Sequence, residues 1–226
     1  MQSDREYAEG VERHIDRVCD SVDEFMDALD AAAEKCSREA ADILDDITSS
    51  VATRAEWHDV SKLEQIEKSG YMAGQDPAHA AALKSAEAHH HAHNRHHPEH
   101  WPRGLAGMTL VDLLEMYADW EALSAGQGTD MVADIGKYRD VHGMSEELFS
   151  TFVATARGKT LSSAVDEGNA KDMNLVDLVT LMARWDVAGG KISDEAVTLG
   201  EQRVVMSTQT LAVFRNTIAA WRKGEI

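Results

Sequence analysis

The sequence predicts an all-α protein, and three observations carry that expectation. Only three prolines, Pro77, Pro98 and Pro102, interrupt 226 residues rich in Ala, Glu, Asp, Leu and Met, most of which enter helices at little conformational cost. Apolar residues recur at three- and four-residue steps, the period of a helix with one face turned inward. No run alternates β-branched or aromatic residues with polar ones as a half-buried strand requires.

Residues 4–48 read as helix almost throughout, with Val11, Ile15, Val18, Val22, Phe25, Met26 and Leu29 on one face and acidic residues opposite. A second helical stretch is expected from about residue 37 into WHDVSKLEQIEKSG, ending at Gly70. GQDPAHAAALKSAEAHHHAHN opens on an Asp-Pro start signal and should be helical up to Asn94. Pro98, Pro102, Gly104 and Gly107 then keep the chain in a loop. Thr109 is the expected N-cap of MTLVDLLEMYADWEAL, which places Leu110, Leu113, Leu114 and Tyr117 on one face.

After a GQG linker at 126–128 come several shorter helices, the last over roughly 194–222 with Gly200 inside it. Trp185 and Trp221 are expected core residues. Residues 108–120 (MTLVDLLEMYADW) and 173–185 (MNLVDLVTLMARW) echo one another at an offset of 65. In the second copy Thr180 stands where Glu115 stands in the first, and Arg184 where Asp119 stands. No histidine follows His142, so chemistry is expected in the first half.

The formal net charge of −18 makes nucleic acid and anionic membrane poor partners, since both would be repelled. It does not exclude an anionic substrate, because a bound cation inverts the local field. Cys19 and Cys36 are too few for a disulfide framework or a cysteine zinc site. The polar N-terminus and the lack of an apolar run near 18 residues argue against a signal peptide and a membrane span. A reducing cytoplasm is the expected location.

Seven of the eleven histidines fall within residues 89–100, in AEAHHHAHNRHHPEHW. His90 and Asn94, His89 and His93, and His93 and His97 are each four apart, a spacing that puts two side chains on one helix face. EWHDVSK holds the adjacent pair His58 and Asp59 on an expected helix, where they can reach one ion only over the groove between their directions. Lys62 follows one turn later on the side of His58. His14 borders the apolar face of the first helix. Glu115 and Asp119 share a stripe in a segment apolar enough to be buried, and a buried carboxylate is costly unless paired or bound to metal. Imidazole and carboxylate together suit Mn, Fe, Co, Ni or Zn.

Together these residues resemble a known family. His14, then HDxSK at 58–62, His90, NRHHPE at 94–99 and EMxxDW at 115–120 resemble the uncharacterised, often phage-encoded proteins of the domain-of-unknown-function 5662 type. Those proteins look like distant members of the HD-domain superfamily of metal-dependent phosphohydrolases. The resemblance spans roughly residues 10–125 and leaves 130–226 unexplained. It implies an HD-like helical domain over 1–125, with 126–226 as a helical extension packed on it.

It further implies a metal held by His14, His58, Asp59 and Asp119. A second ion would draw on His90, His93 and His97, with His96 next. Lys62, and after it Arg95, would hold phosphate, with Asn94 and His96 also candidates for substrate contact. Asp59, Lys62 and Glu115 would carry the chemistry, Glu115 by orienting a ligating histidine. The expected activity is hydrolysis of a nucleotide or other small phosphorylated molecule with one or two divalent transition-metal ions. A binuclear-iron oxygenase on the same fold and a non-enzymatic helical metal-binding or interaction protein are the alternatives, and a homo-oligomer is compatible with each.

Overall fold

The computed structural model describes residues 3–73, 77–167, 170–184 and 206–226. Among these the chain is helical, and no strand occurs. The helix α1 spans Asp4–Ala33 and starts at a capping box in which Ser3 and Glu6 satisfy each other's backbone amides. It does not run on to residue 48. The side chain of Ser37 accepts from the amide of Ala40 and starts α2, Arg38–Glu56, a separate helix. The break folds α2 back on α1, so Val18, Phe25 and Leu29 of one bury against the layer that holds Ile43, Ile47 and Val51 of the other.

The second expected helix also breaks, and at the place that matters most. Glu56 ends α2, and Asp59 takes the left-handed conformation, with φ 57° and ψ 11°. A short 3-10 turn over Val60–Leu63 leads into α3, Gln65–Ala73. The pair His58 and Asp59 therefore lies on a turn and not on a helix face. Within a helix the two side chains would diverge by about 100°. The left-handed residue removes that divergence at a cost of about 1 kcal/mol.

Next, α4 (Ala80–His93) packs closely on α3. A Cβ on Gly70 would lie 2.5 Å from Ala86 Cβ and 2.7 Å from the Ala82 carbonyl oxygen, so only glycine permits this approach. The helix ends at Asn94 as its sequence predicts, with the Asn94 side-chain Nδ2 donating back to the His90 carbonyl at 2.8 Å.

Thr109 and Asp112 form the capping box of α5, Leu110–Gln127. Gly126 and Gln127 stay inside that helix, and left-handed Gly128 (φ 67°) ends it. Four helices follow: α6 (Met131–His142), α7 (Glu146–Arg157), α8 (Ala164–Glu167) and α9 (Leu175–Arg184). The last described helix, α10, covers Thr208–Lys223. Gly200 and Trp185 lie outside the described residues. Trp221 is half-buried and donates its indole N–H to Asp46.

The two echoing segments start their helices in the same way. Asp112 pairs with the Thr109 amide, and Asp177 with the Asn174 amide. In α5 the Leu110 amide donates to the Thr217 hydroxyl, and in α9 the Leu175 amide donates to the Thr155 hydroxyl. Through Thr217, and through Asn216 on the Ala106 and Met108 carbonyls, α10 holds the start of the helix that carries Glu115 and Asp119. Tyr117, Phe152, Leu178 and Phe214 join the core formed by α1 and α2. No helix among the described residues is long and apolar enough to cross a membrane.

One stability effect arises away from the site. Asp134 of α6 accepts from Lys137, Thr129 and Ser124, and these bonds, Lys137's first, lower its carboxyl from 3.8 to about 2. A depressed carboxyl stabilises the fold above its unfolded value and loses that contribution as pH falls through its folded value. The Asp134→Asn protein should therefore be less stable at neutral pH and show a flatter loss of stability between pH 4 and 2. Denaturant titrations at several pH values check this, and identical acid limbs would refute it.

Candidate metal centre

Four elements bring ligand-type side chains to one buried place. From α1 comes His14, from the turn after α2 His58 and Asp59, from α4 and the loop beyond it His90, His96 and His97, and from α5 Glu115 and Asp119. Two groups of four result. His14, His58, Asp59 and Asp119 form one, and Asp59, His90, His96 and His97 the other, with ligand atoms within 4.8 Å of one another in each.

Asp59 belongs to both. Its Oδ2 faces His14 Nε2 at 3.6 Å and His58 Nε2 at 3.4 Å. Its Oδ1 faces His90 Nε2 at 3.3 Å and His96 Nε2 at 3.6 Å. Asp119 closes the first group, with Oδ1 at 2.9 Å from His14 Nε2 and 3.5 Å from His58 Nε2. His97 closes the second, its Nε2 at 2.8 Å from His90 Nε2.

Three atoms pointing inward are buried without a hydrogen-bond partner: His58 Nε2, His96 Nε2 and Asp59 Oδ1. Buried polar groups are almost always satisfied, and a cation bound by these lone pairs would satisfy all three. The residues present therefore fit a metal.

A surrounding layer sets the imidazoles. Glu115 Oε1 stands 3.1 Å from both His58 Nδ1 and His96 Nδ1. Glu67 does the same for α4, with Oε2 at 2.9 Å from His90 Nδ1 and Oε1 at 2.7 Å from His89 Nδ1. An Nδ1–H donated outward leaves the Nε2 lone pair facing the ligand groups. Arg54 anchors this layer through ion pairs, with Asp112 Oδ1 at 2.7 Å and Glu115 Oε2 at 2.5 Å.

The electrostatics favour added positive charge. Asp59, Glu67, Asp112, Glu115 and Asp119 are all buried, while Arg54 and Lys62 are the fixed cations among them, with exposed Arg95 reaching Asp112 from outside. Burial would raise the Asp59 carboxyl, but His58, Lys62 and His96 hold it well below its usual range. Burial would likewise raise Asp119, and His14, hydrogen-bonded to it, together with neighbouring His58 overcomes that. Burial lowers the His58 imidazole less than Asp59, Asp119 and Glu115 raise it, so it ends well above its ordinary value. His97 runs the other way. Burial, with His96 adding to it, pushes it down to about 2, so it is neutral at neutral pH.

Other residues singled out in the sequence lie elsewhere or do something different. His93 is exposed, with its Nδ1 on the His89 carbonyl and its ring stacked on His89, and it joins neither ligand group. His96, expected either to touch substrate or to follow the other histidines as a ligand, stands in the second ligand group. The helix ends at Asn94, so i/i+4 spacing no longer decides which later histidine turns inward. Asn94 serves local structure, donating to Ser61 Oγ and to the His90 carbonyl. Arg95 bonds Asp112 at 3.3 Å and stacks over Trp101. Lys62 donates to Asp59 Oδ2 and keeps 26% of its side chain exposed.

Glu67, Arg54 and Asp112 escaped the sequence reading. The partners of Glu67 and Arg54 are 22 or more residues away, so no local spacing marks those two, and the local capping spacing of Asp112 to Thr109 does not reveal its pairing with Arg54; a polar residue at an inward position of α2, α3 or α5 was the available signal. Two groups of three also occur: His58, His96 and Glu115, which is buried, and His91, His97 and Glu99, which is partly exposed.

Beside the ligand groups opens a cavity of about 660 Å³. His14, His90 and His97 of the ligand groups line it together with Lys62, and so do Tyr7, Val11, Arg17, Tyr71, Leu123 and Gly126. The Tyr7 hydroxyl donates to the Lys62 carbonyl and ties α1 to the turn that carries Asp59.

Neither a curated protein nor a solved structure matches this chain. The sequence model of a family of unknown function, DUF5662, matches residues 3–157. That match spans α1 to α7, includes every residue of the two ligand groups, and covers well over half of the chain. The chain belongs to the DUF5662 family.

Proposed function

We propose that the protein is a metal-dependent phosphohydrolase of HD-domain type, acting on a nucleotide or another small phosphorylated molecule with two divalent transition-metal ions. The observation that carries this reading is Asp59, whose two oxygens face two separate ligand groups at the wall of a substrate-sized cavity. Mn, Fe, Co, Ni and Zn all suit an imidazole–carboxylate set. When bound, such ions polarise a phosphoryl oxygen and bring the pKa of water towards about 7.

The chain's own residues supply the rest. Lys62 places an ammonium group where the cavity meets Asp59, and there it can neutralise charge that develops on a phosphoryl group. Glu115 and Glu67 are positioning residues, since they hold the imidazoles without facing the cavity centre. His97, kept neutral, is available as a ligand.

The test is elemental analysis of the purified protein, followed by a phosphate-release screen on nucleoside mono- and triphosphates with each metal supplied. Absence of both bound metal and released phosphate would defeat the reading. The same donor set also suits a pair of irons, and a coloured protein that consumes oxygen would replace hydrolysis with oxygenation.

The orienting layer gives a graded expectation. Glu115→Gln leaves one carbonyl oxygen to serve His58, His96 and Arg54, so metal affinity should fall by roughly 10- to 100-fold while the fold is kept. Calorimetric titration with Mn(II) measures the change, and an unaltered affinity would remove Glu115 from the layer.

A further inference from the structure

We infer that the end of the cavity away from the ligand groups is a subsite for a second anionic group of the substrate, built on Arg17. The inference rests on the phosphohydrolase reading and deepens it, because it names the substrate as a phosphorylated molecule with another phosphate or a carboxylate at its far end.

The basic residues near the centre are already engaged. Lys62 bonds Asp59, and Arg95 is held by Asp112 and Trp101 outside the cavity wall. Arg17 differs. It stands one turn beyond His14 on α1, lines the same cavity, is exposed, and forms no ion pair with a carboxylate among the described residues.

Its guanidinium rests against α5 at a position with no side chain. A Cβ on Gly126 would come 3.1 Å from Arg17 Nη1 and 3.6 Å from its Cζ. Glycine inside a helix is unfavourable, yet here it leaves room for the guanidinium close to the helix at the cavity wall. Gly126 follows Asp119 by two turns of α5, which is about 10 Å along the axis. The guanidinium is thus too far along to share the phosphoryl group held at the ligand groups.

On α5, Ala122 and Leu123 line the cavity between Asp119 and Gly126, a surface suited to a carbon skeleton or ring. Glu87 lines the cavity from α4 and would repel an anion on its own side. That leaves the α1–α5 wall, where Gln127 also stands, as the place for the second charge. Arg grips phosphate and carboxylate alike through two parallel N–H bonds.

The experiment compares probes that cannot be hydrolysed, binding to the full chain with Mn(II) in excess, by calorimetry. Hexylphosphonate carries one anionic end, whereas 6-phosphonohexanoate and 1,6-hexanediphosphonate carry two. The wild-type protein should bind the two-ended probes about tenfold or more tightly than hexylphosphonate. Whichever two-ended probe gains more tells carboxylate from phosphate as the natural group.

Arg17→Gln should erase the difference and leave hexylphosphonate binding unchanged, and Arg17→Lys should restore part of it. Gly126→Ala, which favours the helix, should weaken only the two-ended probes by crowding the guanidinium. Equal affinities for all probes in the wild type, or a difference that survives Arg17→Gln, would overturn the subsite alone. Failure of every phosphonate to bind would overturn the phosphohydrolase reading with it.

Discussion

The Asp59→Asn protein is expected to fold and to lose metal at both ligand groups together. Asp59 is the residue common to them, with Oδ2 towards His14 and His58 and Oδ1 towards His90 and His96. Asparagine tolerates the left-handed backbone at this position and keeps the side-chain shape, so the turn should survive. What goes is the charge that faces two imidazole clusters. Any metal-dependent turnover should fall by at least ~10³-fold, about 4 kcal/mol in the barrier. Elemental analysis beside circular dichroism decides the matter. A folded protein that still carries two ions would remove Asp59 from the bridging position.

Arg54→Met should produce the largest loss of stability in the metal-free protein. The guanidinium joins Asp112, fully buried, to Glu115, also buried. Methionine fills much of the same space and supplies no charge, so two carboxylates remain in the interior without it. Removing one partner of a buried pair costs about 3–5 kcal/mol. Arg54 keeps 22% of its side chain exposed and Arg95 still reaches Asp112, which places the effect near the low end, about 3 kcal/mol.

For a chain of this size that corresponds to a fall in melting temperature of roughly 6–12 °C. Burial would raise the Glu115 carboxyl, and Arg54 is the main charge that holds it down. The substituted protein should therefore also hold its metal less firmly, through His58 and His96. A melting temperature within about 2 °C of the wild type would show that the charges are compensated elsewhere.

How the chain could be read from its sequence differs from element to element. The Thr109 cap and the end of α4 at Asn94 were legible because both depend on side chains bonding backbone a few residues away. The start of α2 was legible as well, since a second helical stretch was expected from about residue 37, although the first was carried past it to 48. The break at Asp59 was not, since a helical apolar period continues on both sides of it. No comparable signal marks Asp59, where the left-handed turn is held by contacts from α1, α4 and α5.

Among the histidines the same distinction applies. His14, His58, Asp59 and Asp119 could be nominated from motif and context, and the structure brings their ligand atoms together. Choosing His96 over His93 required the direction of the chain after α4.

By itself, the sequence determined that this protein is helical, where α1, α2 and α5 start and where α4 stops, and which residues offer nitrogen and oxygen ligands. Those properties follow from the period of apolar residues and from bonds that span a few positions. Only the tertiary structure decided that Asp59 faces two ligand groups, that Glu67, Arg54 and Glu115 set the imidazoles, and that Arg17 lies open against Gly126. Each of those facts depends on how separate helices approach one another, and the helical period constrains which face is buried but not which residue of another helix it meets.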